Sequence, residues 1–249
     1  MVSDDISRPT EQDFFRGTGL TLTWKDWDAS FFYSYRKLDA AVENDTFPTI
    51  KTDGLHRLQR DWEKRHTVTM HTFGGNVRWA HPNYHLGITA VHYTFGGKTM
   101  YPQEQLYNRF AFRGEKNVNM SVDYMWKNRW GKLYGETAVS ANKAIATLNA
   151  LQLTPASYFS LLVLHRYYDR RYQAFFGNAF AQNSTVQNEQ GIYLGCQWTP
   201  FGHWKLSWYA DFYRFPWLKY QIDFPSTGKE YMFQLGLYTE STFLLLSSL

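Results

Sequence analysis

Hydrophobic and polar positions alternate with a period of two along most of the chain. Over 203–215, Trp204, Leu206, Trp208, Ala210 and Phe212 share one face, and Lys205, Ser207, Tyr209, Asp211 and Tyr213 share the other. Over 117–127, Val118, Met120, Val122, Tyr124 and Trp126 oppose Asn117, Asn119, Ser121 and Asp123. Segments 84–93 and 191–199 repeat the pattern. Successive strand side chains point to opposite faces, so each segment reads as a strand with one apolar and one polar face. The pattern predicts strands over 17–24, 29–37, 66–80, 83–95, 116–128, 131–142, 145–153, 157–168, 190–199, 203–215 and 230–239, about eleven in all. In the third, apolar parity moves from Val68 and Met70 to Val77 and Trp79, which predicts a bulge at Gly74–Gly75.

The connections between these strands differ in length. Lys25–Asp28, His81–Pro82, Arg129–Trp130, Thr154–Ala156 and Pro200–Gly202 are short. The alternate connections are 38–65, 96–115, 143–144, 169–189 and 216–229, mostly long. Short turns at one end and long loops at the other are the pattern of an outer-membrane barrel. Trp24, Trp79, Trp126, Trp130, Trp198 and Trp204 fall near strand ends, where an interfacial aromatic girdle belongs. The expected fold is therefore all-β, an antiparallel up-and-down transmembrane β-barrel. Its parts are an N-terminal extension (1–16), a barrel segment (17–240) and an irregular tail (241–249). An odd strand number and a tail that stops alternating point to an incomplete barrel and a fragment of a longer chain. The competing architecture is a soluble all-β sandwich or barrel, a binding module with aromatic ligand-contacting patches. Its outward face should be rich in Lys and Glu; here the polar face is Asn, Ser, Gln, Tyr and mixed charges.

Composition narrows the picture further. The chain has 249 residues, of which 19% are aromatic, a formal charge of +4 and one cysteine, Cys196. The aromatic content excludes a disordered chain, and one cysteine cannot form an internal disulfide. The charge is too mild to imply a polyanionic partner by itself. No apolar run approaches the ~18 residues of a membrane helix, and the first sixteen residues lack the regions of a secretion signal. Taken literally the N-terminus reads as cytoplasmic; it fits equally a chain that begins inside a longer one.

The polar face supplies the candidate lumen residues: Arg78, His85, Asn117, Asn119, Ser121, Asp123, Lys132, Glu136, Gln197, Lys205, Asp211 and Gln234. They carry both signs, which predicts weak ion selectivity or a filled polar interior. Candidate outer-loop basic contacts are Arg57, Arg60, Lys98, Arg109, Arg113 and Lys116, interleaved with aromatics as in a single-strand nucleic-acid channel. The competing reading is a solvated loop laced by internal salt bridges. Leu55, Leu58 and Trp62 predict a short amphipathic helix that either covers the rim or recognises a ligand. Gly96-Gly-Lys-Thr lacks the spacing of a phosphate loop. His165 and Asp169 are the nearest approach to a hydrolase constellation, and no motif brings a nucleophile to them, so no catalytic residue is expected. The pairs His66/His71 and His81/His85 are badly spaced for one ion, so no metal or cofactor is expected.

Several ordered stretches resemble a known family. They are Gly54-Leu-His-Arg with Glu63-Lys-Arg and Gly74-Gly-Asn76, then Tyr107-Asn-Arg-Phe-Ala-Phe-Arg-Gly114. Tyr172-Gln-Ala-Phe-Phe-Gly-Asn-Ala-Phe180, Val186-Gln-Asn-Glu-Gln-Gly191 and Arg214-Phe-Pro-Trp-Leu-Lys-Tyr220 continue the series. The chain from about Gly17 to Tyr238 resembles the C-terminal barrel-like region of helix-hairpin-helix domain proteins of the Bacteroidetes. In that family a competence-receptor-like DNA-binding module precedes the β-rich region. The resemblance implies an outer-membrane location, lipid as surroundings, an unidentified solute, and a link to DNA uptake in the intact parent. The helix-hairpin-helix module itself is not in this sequence, and Leu58 stands where the family pattern has Thr. Nucleic acid as a partner therefore follows only by family association.

Overall fold

The computed structural model describes residues 15–51, 58–239 and 242–248. Fifteen strands are present among them. The first seven are β1 (Gly17–Trp24), β2 (Trp27–Ala40), β3 (Thr46–Phe47), β4 (Ile50–Lys51), β5 (Val68–His81), β6 (Tyr84–Thr94) and β7 (Thr99–Met100). The rest are β8 (Lys116–Asn128), β9 (Gly131–Ser140), β10 (Ile145–Ala156), β11 (Phe159–Tyr168), β12 (Glu189–Trp198), β13 (Trp204–Phe215), β14 (Ser226–Thr239) and β15 (Thr242–Ser248). Among the described residues helix is confined to α1 (Gln59–Glu63) and one 3-10 turn, Leu106–Asn108. No helix among the described residues is long and apolar enough to cross a membrane.

One large sheet runs β1-β2-β5-β6-β8-β9-β10-β11-β12-β13-β14-β15, with β4 added beside β2. The ladders from β8 to β15 are all antiparallel between sequence neighbours. All eleven expected strands are present, and the expected all-β antiparallel architecture holds. The path has a twelfth member. The irregular tail expected over 241–249 is instead a strand over Thr242–Ser248, paired from Phe233↔Ser248 to Thr239↔Thr242. An apolar run without alternation still makes a strand when a neighbour offers a free ladder edge. Most of the expected N-terminal extension lies outside the described residues.

Other boundaries moved as well, β2 running over Trp27–Ala40 where 29–37 was expected. Pro155 lies within β10, not in a turn; the register shifts between Leu153 and Ala156, and Ser157–Tyr158 make the turn to β11. Proline lacks a ladder donor and is tolerated where a bulge interrupts pairing. β14 starts at Ser226, four residues early, because Ser226–Lys229 pair with Phe212–Phe215.

The chain divides into two units, the first built around Ala29–Gly75 and Ala90–Val118, the second comprising Thr23–Asp28, Asn76–Thr89 and Asn119–Leu249. In the first, segments 41–51 and 96–115 are joined by the parallel pair β3 and β7. They cover an aromatic core of Phe47, Tyr93, Phe95 and Phe112 with ring separations of 5.2 to 6.2 Å. Val68, Met70 and Thr72 of β5 are buried, whereas Phe73 is half exposed. Gly74 and Gly75 keep that alternation: a Cβ on Gly74 would strike the Phe32 ring, one on Gly75 would meet the Phe31 ring and the Ser30 carbonyl, and neither φ is positive. The parity change read as a bulge is thus a change in which face is apolar. Val68 and Met70 fill the covered core, while Val77 is on the open face. Leu58 and Trp62 of the expected amphipathic helix are about half exposed, so they do not cover a rim; Leu55 lies outside the described residues.

In the second unit the two faces of β8–β14 are chemically distinct. The covered face buries Ser121, Ala146, Ala150, Leu164, Arg166, Tyr168, Glu189 and Asp211. The other face is open. Across β10–β14 it is built of rungs read from the register. Thr147, Tyr167, Gln190, Arg214 and Thr227 form the rung nearest the long loops, followed by Asn149, His165, Ile192, Phe212 and Lys229. Below them come Leu151, Val163, Leu194, Ala210 and Tyr231, then Leu153, Leu161, Cys196, Trp208 and Phe233. Trp126, Trp130, Trp198 and Trp204 stand exposed at the short-turn end.

Candidate functional site

The covered face of β6, β8 and β9 brings four of the expected lumen residues together. His85 Nε2 meets Asp123 Oδ2 at 3.0 Å, with both side chains about three-quarters buried. Asp123 is directly opposite Glu136 across β8 and β9. Lys132 lies two residues from Tyr134 on the same face, its Nζ 4.7 Å from the ring centroid. A cavity of about 270 Å³ is lined by these groups together with Met125, Leu148 and Ala150. Alternation explains the convergence: His85, Asp123, Lys132, Tyr134 and Glu136 all occupy covered-face positions. Gly87 makes room, since a Cβ there would lie 2.3 Å from Asp123 Oδ1. A strand glycine that admits a neighbouring side chain was the sequence signal for this approach. Two carboxylates face each other here, with one lysine and one histidine beside them. Such a surface suits a small polar or zwitterionic solute.

A second polar centre lies among β11, β12 and β13. Arg166 donates from Nε to Glu189 Oε1 at 2.5 Å, and from Nη1 and Nη2 to the two Asp211 oxygens at 2.8 and 2.9 Å. All three side chains are essentially inaccessible. Gly191 accommodates the guanidinium, because a Cβ there would be 2.6 Å from Arg166 Cζ. Loop 169–188 closes over this centre. The backbone amides of Gln182 and Asn183 donate to Glu189, and the Gln182 side chain donates to Asp211 and Glu230 at 3.0 and 2.8 Å. Tyr209 donates to Glu230. The same loop is held by Tyr168 Oη donating to the Phe180 carbonyl at 2.8 Å and Asn119 Nδ2 to the Gln173 carbonyl at 2.8 Å. Asp211 and Asn119, two of the expected lumen residues, fasten this loop. Arg166, Glu189, Gln182 and Glu230 were not anticipated. Gly191, a glycine inside a strand, was their only local trace.

The remaining candidates are dispersed. Asn117 donates to Tyr93 Oη at 3.2 Å in the first unit, and Arg78 is 3.5 Å from Asp28 at the short-turn end of the second. Ser121 is buried, Lys205 and Gln234 are half buried, and Gln197 is exposed. Of the basic loop residues, Lys98 pairs with Asp45 at 3.3 Å, and Arg113 Nη1 donates to the Arg109 and Ala111 carbonyls. The Arg113 and Arg109 guanidinium carbons lie 5.6 and 5.9 Å from the Tyr101 and Phe110 ring centroids. Lys116 is exposed at the start of β8, Arg60 belongs to α1, and Arg57 lies outside the described residues. Arg113 thus ties its own loop together, and Lys98 joins that loop to Asp45 beside β3.

His165 and Asp169 have separate surroundings. His165 is exposed on the open face, while the Asp169 carboxylate accepts from the Arg171 amide at 2.7 Å and from its guanidinium. Partial burial works against the Asp169 charge, but these Arg171 bonds outweigh it and hold the carboxyl below its usual range. Elsewhere His71 is bonded to Tyr33 at 2.9 Å and His81 stacks on Tyr84. Among the described residues no group of three or more His, Cys, Asp and Glu is arranged to hold a metal. No protein-family model matches the chain, and comparison with curated proteins finds no match.

Proposed function

We propose that this chain is a segment of an outer-membrane β-barrel whose polar interior binds or passes a small polar solute. One observation carries the reading. Over β8–β14 of the second unit every aspartate and glutamate occupies the covered face, and the open face carries no acid at all. That open face is instead apolar and accessible: Ile192, Trp208, Phe212, Tyr231 and Phe233 are 38 to 63% exposed. In water such a surface would be an aggregation or partner surface; in lipid it is the ordinary outside of a barrel. The dimensions agree. From Trp204 to Phe212 the apolar side of β13 climbs about 21 Å, at ~3.4 Å per residue and a tilt of ~40°, against an apolar band of ~25 Å. The tryptophans at the short-turn end supply one interfacial girdle.

The paired carboxylates, Lys132 and His85 are the solute-contacting surface in this reading. Loop 169–188, folded onto Arg166, Glu189 and Asp211, narrows the interior. The chain is not an enzyme on this account. The resemblance to helix-hairpin-helix envelope proteins supports a role beside DNA uptake in a longer parent.

The test is refolding into detergent and into phosphatidylcholine vesicles. The account expects heat-modifiable gel migration and protection of the strands from added protease. A detergent-free, monodisperse, stably folded chain would refute it and favour a soluble binding module.

A further inference from the structure

The charged residues that do reach the open face of the second unit are all basic and all lie toward the long-loop end. Arg214 occupies the rung nearest the loops, and Lys229 is one rung below, with His165 three strands away on that same rung. All three are exposed, and Arg214 and Lys229 have no salt-bridge partner among the described residues. The nearest strand carboxylates, Asp211 and Glu230, are on the opposite face and bonded there. A shallow groove on the open face is lined by His165, Ile192, Leu194, Phe212, Arg214 and Lys229. Its chemistry therefore changes along its length, basic and polar toward the loops and apolar below.

We propose that this groove binds a membrane lipid with a phosphorylated headgroup. Arg214 and Lys229 contact the phosphate, and the acyl chains lie along Ile192, Leu194 and Phe212. The proposal rests on the membrane-barrel reading above. Charge complementarity selects the occupant. Two cations without a salt-bridge partner among the described residues, on a strand face that carries no acid and above several apolar rungs, match an amphiphile with an anionic head. A free phosphate would leave the apolar rungs unused, and an apolar partner would bury both cations unpaired. Arg214 adds a planar fork suited to two phosphate oxygens, and Lys229 reaches up from within the band on its flexible stem.

The experiment uses the full chain refolded in a neutral detergent, with native mass spectrometry of retained lipid. The probe is diphosphoryl lipid A, compared with phosphatidylcholine and with inorganic phosphate as competitor. Wild type should retain the probe over phosphatidylcholine, and excess inorganic phosphate should not displace it. R214Q/K229Q should weaken retention about 30-fold, roughly 5-fold per basic side chain at a membrane surface. R214K/K229R should keep most of it, and K25Q/R129Q, an equal charge change at the short-turn end, should leave it unchanged. Heat-modifiable migration of each variant reports folding separately. A folded R214Q/K229Q that retains the probe like wild type overturns the proposal and leaves the barrel reading intact. A chain that never inserts into detergent or vesicles overturns both.

Discussion

Replacing Arg166 by methionine should be among the most damaging single changes in this chain. Methionine keeps an unbranched apolar stem but removes three hydrogen bonds, of 2.5, 2.8 and 2.9 Å, and the only positive charge in the cluster. Glu189 and Asp211, at most 1% exposed, are then left facing each other's charge. Glu189 keeps the Gln182 and Asn183 amides, and Asp211 keeps the Gln182 side chain, so the loss is partial. Breaking a buried pair from one side costs about 3–5 kcal/mol, a change of roughly 150- to 5,000-fold in the folding equilibrium. Urea unfolding of the refolded chain, followed by tryptophan fluorescence, measures it. The triple variant R166M/E189Q/D211N should recover much of the loss, since neutral partners need no counter-charge. A cost below about 1 kcal/mol for Arg166→Met would mean that water reaches this cluster, and the account of loop 169–188 as a fastened cover would fail.

Further outcomes follow from the same geometry. Gly191→Ala should cost about 1–3 kcal/mol, because the new Cβ would press on a guanidinium that two carboxylates hold in place; an unchanged urea midpoint would show the cluster to be loose. Asp169 has a lowered folded pKa, so its contribution is full above the ordinary carboxylate value near 3.8 and is lost as pH falls through the lower folded value. Protease cleavage within 169–188 should therefore rise only in strong acid, and Asp169→Asn should raise it already at neutral pH. Removing both charges with D123N/E136Q should shift planar-bilayer reversal potentials toward anions, whereas an unshifted potential would place the solute path elsewhere. Cys196, between Leu161 and Trp208 on the open face, should resist a membrane-impermeant maleimide in vesicles and react once detergent-unfolded; rapid labelling in intact vesicles would put that face in water.

The alternation along the chain specified all eleven expected strands and the face of every lumen candidate in β8–β14, because a two-residue period decides side without knowledge of partners. It did not reveal which polar residues meet. Arg166 reads as one more charge after an apolar run; its partners Glu189 and Asp211 are 23 and 45 residues away. Local pattern carries no register, and register alone puts Arg166 beside Gly191. The apparent slip at Gly74–Gly75 came from assuming that one face is apolar throughout. In β5 the covered face is apolar beneath segments 41–51 and 96–115, whereas past Gly75 the exposed apolar residue, Val77, is on the open face. The last strand was missed for a related reason: Thr242–Ser248 pairs through its backbone, and its sequence does not alternate.

The central claim is that the open face of the second unit meets lipid. Tryptophan fluorescence of the refolded chain in vesicles of brominated phosphatidylcholine tests it most directly, since Trp126, Trp198, Trp204 and Trp208 are all exposed on that face. The account predicts strong quenching, deepest for bromines near the acyl-chain positions level with Trp208 and weaker toward the headgroups. Fluorescence unaffected by bromination, from a chain that stays folded and monodisperse without lipid, would contradict it.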